Sequence, residues 1–524
     1  MPNACGIRAQ AGRWGATIAR LGVIAGLAIA AHPGSAAAQN AAADWPNAGQ
    51  NPHDTRNAPN ERGIGPSNVG KLATRWVLAT KGNVTTTPAV IEGTVYVPDY
   101  GGMLWAIDAS DGKVRWSNEI SLYSGIAGDV SRTTPAYWEG TLITGQGVQT
   151  AHNRTGAFML GIDARTGQPL WRTKVEEDPE AIITSSPVVD EGVVYVGTSS
   201  RDEAYQVPIT FRGSVVALDA KTGKLLWKTY MVPQGYTGGA VWSSTPVVDH
   251  DTGLLYVTTG NNYTVPTGVC RAPERENCTP GAADNRIDSI VALDLKTGQI
   301  TWSTPTLTGD LSTNFDKEDG PDYDFAAGPN LYTAISDGQP RTLLGAGQKS
   351  GIYWALDPQT GKVLWKTEVG PGSRKGGMMW GTAADGRRIY VSIGNGDHLP
   401  VSVTGEDGSQ ATTKGGLWAA IDAATGKVVW RTADPQQAID TCAMSVANGV
   451  VYAGSMAGSG DNMYALDADT GAVLWKFASG GAVASGASIV NGTVYWGSGY
   501  QTKVIGLPYD GDNNKFYAFS VEGR

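Results

Sequence analysis

An apolar run, an aspartate, and a tryptophan eight residues further on recur seven times in this chain. The copies read AIDASDGKVRW, GIDARTGQPLW, ALDAKTGKLLW, ALDLKTGQITW, ALDPQTGKVLW, AIDAATGKVVW and ALDADTGAVLW. Their aspartates are Asp108, Asp163, Asp219, Asp294, Asp357, Asp422 and Asp467, and their tryptophans are Trp116, Trp171, Trp227, Trp302, Trp365, Trp430 and Trp475. A repeat of roughly 45 to 75 residues built from short β runs marks a propeller. The Asp-x-x-Thr-Gly core is turn chemistry: the Asp carboxylate can cap its own backbone two residues on, and Gly accepts a positive φ. The repeat therefore joins two strands in a hairpin. Upstream of most copies lies a second strand pair, such as SSPVVDEGVVYVGT and ASIVNGTVYWGS, so four antiparallel strands make a blade. A blade cannot bury both faces alone, which assigns the repeated Trp side chains to packing between blades rather than to a site.

The ends fix the blade number. Beyond Trp475 the chain supplies three more strands and no terminal Trp, whereas KLATRWVLAT near the start is a lone strand carrying Trp76. Joined, they make an eighth blade, so the expectation is an all-β, eight-bladed propeller whose ring is closed by the N-terminal strand. Residues 1–38 read as a cleavable signal peptide: Arg8, Arg13 and Arg20, the apolar run LGVIAGLAIAA, then small residues ending at Ala38. Residues 39–524 form a single propeller domain with roughly 60 residues per blade. No apolar run is long enough to span a bilayer comfortably, and the expected location is the periplasm.

A net charge of −9 without basic runs argues against nucleic acid and anionic membrane surfaces. Cys270 and Cys278 lie close together in the longest inter-repeat stretch and are expected to form a local disulfide in an oxidising compartment, while Cys442 is alone. The chain has no CxxCH, no HExxH and only 5 scattered histidines, which excludes attached haem c and a common zinc site.

The ALDxxTGKxxW repeat in an exported eight-bladed ring resembles the quinoprotein alcohol dehydrogenases, which carry pyrroloquinoline quinone (PQQ) and Ca2+. The resemblance covers residues 39–524 and implies a set of site residues, each in its blade. Arg132, in AGDVSRTTPAYW, matches the arginine that meets the quinone and its carboxylates. Thr184 matches a hydroxyl donor, Ser199 and Ser200 the small residues at the quinone rim, and Trp242 the tryptophan on which the cofactor stacks. Glu203, Asn261 and Asp324 match the calcium ligands, with Asp324 also the catalytic base. Lys349 matches the basic residue beside the quinone oxygens, a catalytic and cofactor-binding position. Asp202 rivals Glu203 as a ligand, and Asp322 rivals Asp324 as the base.

The residue types suit the chemistry. A tricarboxylate quinone calls for fixed cations, its flat rings for an aromatic floor, and calcium for hard oxygen ligands. A carboxylate base can take the hydroxyl proton while hydride goes to the cofactor. Three departures stand out. Gly125-Ile126-Ala127-Gly128 occupies the place of an adjacent-cysteine pair, Thr85 the place of a quinone-holding Glu, and AIDTCAMSVANG lacks an expected tryptophan. With SRTTPAYWEGTLITG and GGMMWGTAADGRRIYV, these departures resemble the polyvinyl alcohol dehydrogenase branch. Arg374, Lys375, Met378 and Trp380 are candidates for the site mouth. The resemblance implies oxidation of polymeric or bulky secondary alcohols, with soluble cytochrome c as the electron acceptor. The alternatives are a non-enzymatic scaffold of the outer-membrane assembly type and a quinoprotein for sugars or aldehydes.

Overall fold

In the computed structural model the described residues are 44–147, 155–202, 208–243, 245–271, 278–313, 320–404, 409–501 and 510–524. The signal peptide expected over residues 1–38 lies outside them.

Eight blades of four antiparallel strands stand around one axis, one of them extended by Asn57–Ala58, which pairs parallel with its innermost strand Ser445–Ala447. Their innermost strands are Ala89–Ile91, Ala136–Trp138, Val188–Asp190, Val247–Asp249, Pro329–Ser336, Ala383–Ala384, Ser445–Ala447 and Ser488–Val490, here defining blades 1 to 8. Each innermost strand touches the next from blade 1 to blade 7, the Ser445 hydroxyl of blade 7 donates to Ala487 O at the start of blade 8, and the eighth touches the first, so the ring is closed. The seam falls where expected: Leu72–Ala79 pairs antiparallel with Lys515–Val521 as the outer strand of blade 8, with Trp76 opposite Ala518.

The repeat turns explain the ring's regularity. In blade 2 the Asp163 carboxylate accepts the Thr166 N–H and hydroxyl, both at 2.7 Å. The expected cap two residues on is also formed, as where Asp294 accepts the N–H groups of both Lys296 and Thr297. The following Gly serves two needs. Gly298 has φ +68, and a β-carbon on it would lie 2.4 Å from the Trp227 ring of the preceding blade. The indole rests on that bare glycine while its N–H donates to Leu295 O at 3.0 Å. The same arrangement seats Trp116 on Gly167, Trp171 on Gly223 and Trp430 on Gly471. Trp76 completes the series at the seam, lying on Gly112 and donating to Ala109 O. The repeat tryptophans are therefore inter-blade packing groups, as expected. The Cys270–Cys278 disulfide is formed, with Cα atoms 4.9 Å apart, and Cys442 is buried and free.

One element was not anticipated. The segment from Trp45 to Glu61 runs inside the ring and meets the blades in order. Val90 N–H of blade 1 donates to Trp45 O, Tyr137 N–H of blade 2 to Pro46 O, and Val248 N–H of blade 4 to Pro52 O. Leu331 of blade 5 donates to His53 O, Ala384 of blade 6 to Thr55 O, and Val446 of blade 7 to Arg56 O. The Glu61 carboxylate then accepts the Gly492 N–H of blade 8. This axial arm pairs backbone groups of inner strands that would otherwise face the channel unsatisfied.

Candidate active site

Because the strands of a blade alternate in direction, the segment entering each innermost strand lies at the same ring end as the loop leaving the second strand. That end gathers the chemistry-bearing residues. The entering segments bring Thr85–Thr87, Arg132–Thr134, Thr184–Ser186, Trp242, Asp322–Ala327 and Trp380, and the second loops bring Ser199–Ser200, Asn261 and Lys349.

The centre is a buried charged knot. Lys349 Nζ lies 2.6 Å from Asp324 Oδ1 and 3.0 Å from Asp322 Oδ1. The second Asp324 oxygen accepts the Trp242 indole N–H at 2.6 Å. Trp242, Asp324 and Lys349, predicted from three separate segments, are thus brought into one constellation. Lys349 Nζ also stands 5.3 Å from the Trp242 ring centre, within cation–π range. Asp322, the rival base, shares the lysine but not the indole.

Asn261 is buried beside this knot. Its side-chain amide donates to Asn262 O at 2.9 Å and Ser312 O at 2.8 Å, which orients the carboxamide. The neighbouring Gly260 abuts Asp324: a β-carbon there would lie 3.1 Å from Oδ2. Glu203 lies outside the described residues. Among the described residues no group of three His, Cys, Asp or Glu side chains is arranged as a metal site. The rival Asp202 turns back on its own loop, where Oδ2 accepts the N–H groups of Thr210 and Phe211. Burial pushes its carboxyl up to about 6.

Two further aspartates stand behind the knot, and sequence reasoning passed over both. Asp310 accepts the N–H groups of Asp322 and Tyr323, holding their loop against Lys349. Asp288 is fully buried, and neither carboxylate oxygen has a hydrogen-bond partner. Burial first, then the neighbouring Asp310, Asp324 and Asp322, push Asp288 well above the usual carboxylate range. Burial likewise raises Asp310. Nothing in NRIDSIVALD or TGDLST separates these residues from loop carboxylates.

On the other side of Trp242 stands Trp380, edge-on to it with ring centres 5.4 Å apart. The Arg132 guanidinium lies 4.7 Å above the Trp380 ring. Trp380 has φ +63, a conformation that bulky side chains rarely adopt and that clusters at functional sites. The sequence placed it at the mouth without a role; it stands at the axis. Met378, expected beside it, is instead fully buried in the core between blades 5 and 6, because its side chain packs onto the bare Gly347, where a β-carbon would lie 2.7 Å from its sulfur. Arg374 ties the same loop to Thr313 O and Gly320 O, and Lys375 is partly buried.

Thr184 lines the axial cavity, and its hydroxyl donates to Trp242 O, tying blade 3 to the stacking residue. Ser199 and Ser200 pair antiparallel with Ile182 and Ala181 and are buried. Thr85 also lines the cavity, while Gly125 and Gly128 are both left-handed in the loop before Arg132. The cavity has a volume of about 50 Å3 with Trp380 as one wall, against roughly 300 Å3 or more for a pocket that takes a drug-sized ligand. The donor set, two basic side chains with hydroxyls and a tryptophan, fits a planar polycarboxylate quinone. Trp380, edge-on to Trp242, occupies the space beside that indole and leaves the cavity small.

Comparison with known proteins bears on the same residues. The family model for the glucose/ethanol/alcohol dehydrogenase β-propeller domain matches residues 45–376, the span holding every candidate from Arg132 to Lys349. A second model, for the outer membrane protein assembly factor BamB, matches residues 348–513. The chain is 32% identical to the polyvinylalcohol dehydrogenase of Sphingopyxis sp. (strain 113P3), over 87% of this chain and 73% of that protein. It is 29% identical to the polyvinylalcohol dehydrogenase of Pseudomonas sp., over 88% and 74%. Among solved structures, the quinohemoprotein alcohol dehydrogenase ADHIIG from Pseudomonas putida HK5 superimposes with a TM-score of 0.71 at 22% identity, covering 93% of this chain and 81% of that one. The likeness to that structure is one of fold.

Proposed function

Because the chain belongs to the PQQ family of glucose/ethanol/alcohol dehydrogenase β-propellers, we propose that it is a PQQ-dependent alcohol dehydrogenase that oxidises the secondary hydroxyls of polyvinyl alcohol or similar bulky alcohols to ketones. The observation that carries this reading is the Trp242–Asp324–Lys349 constellation at the ring's axis. A scaffold propeller has no use for a buried lysine clamped between two carboxylates, and the assembly-factor match begins only at residue 348, beyond most of these residues.

The residues divide the work. When bound, PQQ supplies the two-electron acceptor to which the substrate carbon gives hydride. Asp324 takes the hydroxyl proton, its carboxylate held in one orientation by Trp242 Nε1 on Oδ2 and Lys349 Nζ on Oδ1. Arg132 and Lys349 provide cations for the cofactor's carboxylates and carbonyl oxygens, and Trp242 a stacking face. Thr184, Ser199 and Ser200 lie at the cofactor's rim. Glu203, Asn261 and Asp324 would hold Ca2+, for which the Asn261 and Asp324 oxygens have the right hardness. A protein exported by residues 1–38 would work in the periplasm. There a separate acceptor must take the electrons, and the net charge of −9 favours a basic soluble cytochrome c.

The test is dye reduction by purified protein with added PQQ and Ca2+, comparing polyvinyl alcohol, simple secondary alcohols and glucose. Turnover on the alcohols, lost on chelation and restored by Ca2+, is the expected result. Turnover on glucose alone would move the substrate class to sugars. No quinone retained after dialysis would return the chain to the scaffolds.

A further inference from the structure

The axial arm carries a buried arginine to the floor of the same cavity. Arg56 is 2% exposed and donates Nε to Met444 O, Nη1 to Ala48 O and Nη2 to Thr87 Oγ1, each at 2.7 Å. All three acceptors are neutral, and two of the five guanidinium N–H groups have no described acceptor. The passage for the side chain is made by absent β-carbons. One on Gly486 would lie 2.1 Å from Arg56 Nη2, and one on Gly381 3.0 Å from Cδ. Beyond Thr87 the guanidinium shares the cavity lining with Arg132, Thr85, Thr134, Thr184 and Trp380. None of these hydrogen bonds is ionic, and Asp54, the acid whose charge acts on Arg56, is itself buried; a charge buried among neutral acceptors is costly, and its retention here points to a ligand that supplies the counter-charge.

We propose that Arg56 is a cofactor-binding residue, which receives a carboxylate of the planar polycarboxylate quinone from beneath while Arg132 acts from the side. This rests on the reading of the axial cavity as the quinone site. A quinone entering from the open end meets a collar of Thr hydroxyls and, at its bottom, a fixed guanidinium that approaches from the opposite direction. The arm thus does more than satisfy inner strands: it completes the site with a group no blade provides.

Asp54, two residues before Arg56, gives the proposal a second handle. Burial pushes its carboxyl up to about 8, with Arg56 opposing the shift. Below that pH Asp54 is neutral and the Arg56 charge is uncancelled; above it the Asp54 anion offsets that charge. The other titratable groups facing the pair are Tyr353 of blade 5 and Cys442 of blade 7, both raised by burial out of this range, Cys442 to about 12. Anion affinity should therefore fall as pH rises through about 8.

The experiment is calorimetric titration of PQQ, with Ca2+ present, into the purified protein and its Arg56→Met, Arg56→Lys and Asp54→Asn variants. We expect at least about tenfold weaker binding in Arg56→Met, largely recovered in Arg56→Lys. Unchanged affinity in a folded Arg56→Met overturns the proposal. If Arg56→Met does not fold, the pH series decides. A wild-type affinity that falls roughly threefold or more from pH 7 to 9, with Asp54→Asn flat, supports the role. A wild type with no fall, or a fall shared by Asp54→Asn, refutes it. No PQQ binding by the wild type at any pH removes the quinone reading itself, a different failure.

Discussion

The rim and the axis of this ring are built from the same blades and behave as opposites. At the rim most blades repeat one solution: an indole on a bare glycine of the next blade, its N–H usually on a carbonyl there, and an Asp carboxylate capping Thr. At the axis no two blades do the same thing. Blade 2 brings Arg132, blade 4 Trp242, blade 5 the Asp322–Asp324–Lys349 knot, and blade 6 a left-handed Trp380. Polar groups at the rim are nearly all paired, whereas Asp288 beside the knot keeps two buried oxygens without partners. Symmetry supplies the scaffold, and chemistry resides where it is broken.

That contrast can be broken experimentally. The largest effect is expected from Asp324→Asn, which keeps shape and an oxygen but removes the proton acceptor. Turnover should fall about 10²–10⁴-fold with quinone still bound, read by dye reduction against quinone absorbance. If Asp322→Asn loses turnover and Asp324→Asn keeps it, the base lies two residues upstream.

Next in size is a rim substitution. Gly298→Ala places a methyl against Trp227 at a positive φ, and should destabilise folding by about 2–3 kcal/mol in thermal or denaturant unfolding. Gly253→Ala, also left-handed at φ +71 but with open space around it, should cost only about 1 kcal/mol. Neither should alter quinone affinity. A change there would mean that rim and axis are coupled.

Trp242→Ala should weaken quinone binding by about tenfold through the lost stacking face, while leaving residual turnover at saturating quinone. The smallest effect concerns Asp202. Its folded carboxyl is raised to about 6, so the native state favours the protonated form. Wild-type stability should decline as pH rises from about 4 to about 6 and level off above, and Asp202→Asn should flatten that decline in urea melts.

Much of the site was legible because its residues lie at repeat-defined places. Arg132 and Thr184 sit just before an innermost strand and Lys349 just after a second strand, places at which the resemblance to the quinoprotein alcohol dehydrogenases implied them. Trp380 was visible only as a tryptophan in an irregular stretch, and Met378 beside it looked equally eligible. Only the left-handed backbone at Trp380 turns one side chain to the axis and leaves the other in the core. Asp288 and Asp310 resembled surface carboxylates, since burial by a distant loop has no local signature.

The sequence by itself determined the eight blades, the seam at Trp76, the Cys270–Cys278 bridge and the blade to which each candidate belongs. These follow from hydrogen bonds and contacts made within a hairpin or between successive repeats, so a few residues of pattern specify them. The tertiary structure alone decided the course of the axial arm and the place of Arg56. The arm has no periodicity of its own, and the Arg56 guanidinium bonds Met444, 388 residues away in the chain. Such partners are chosen by closure of the whole ring, which brings every inner strand within reach of one short irregular segment.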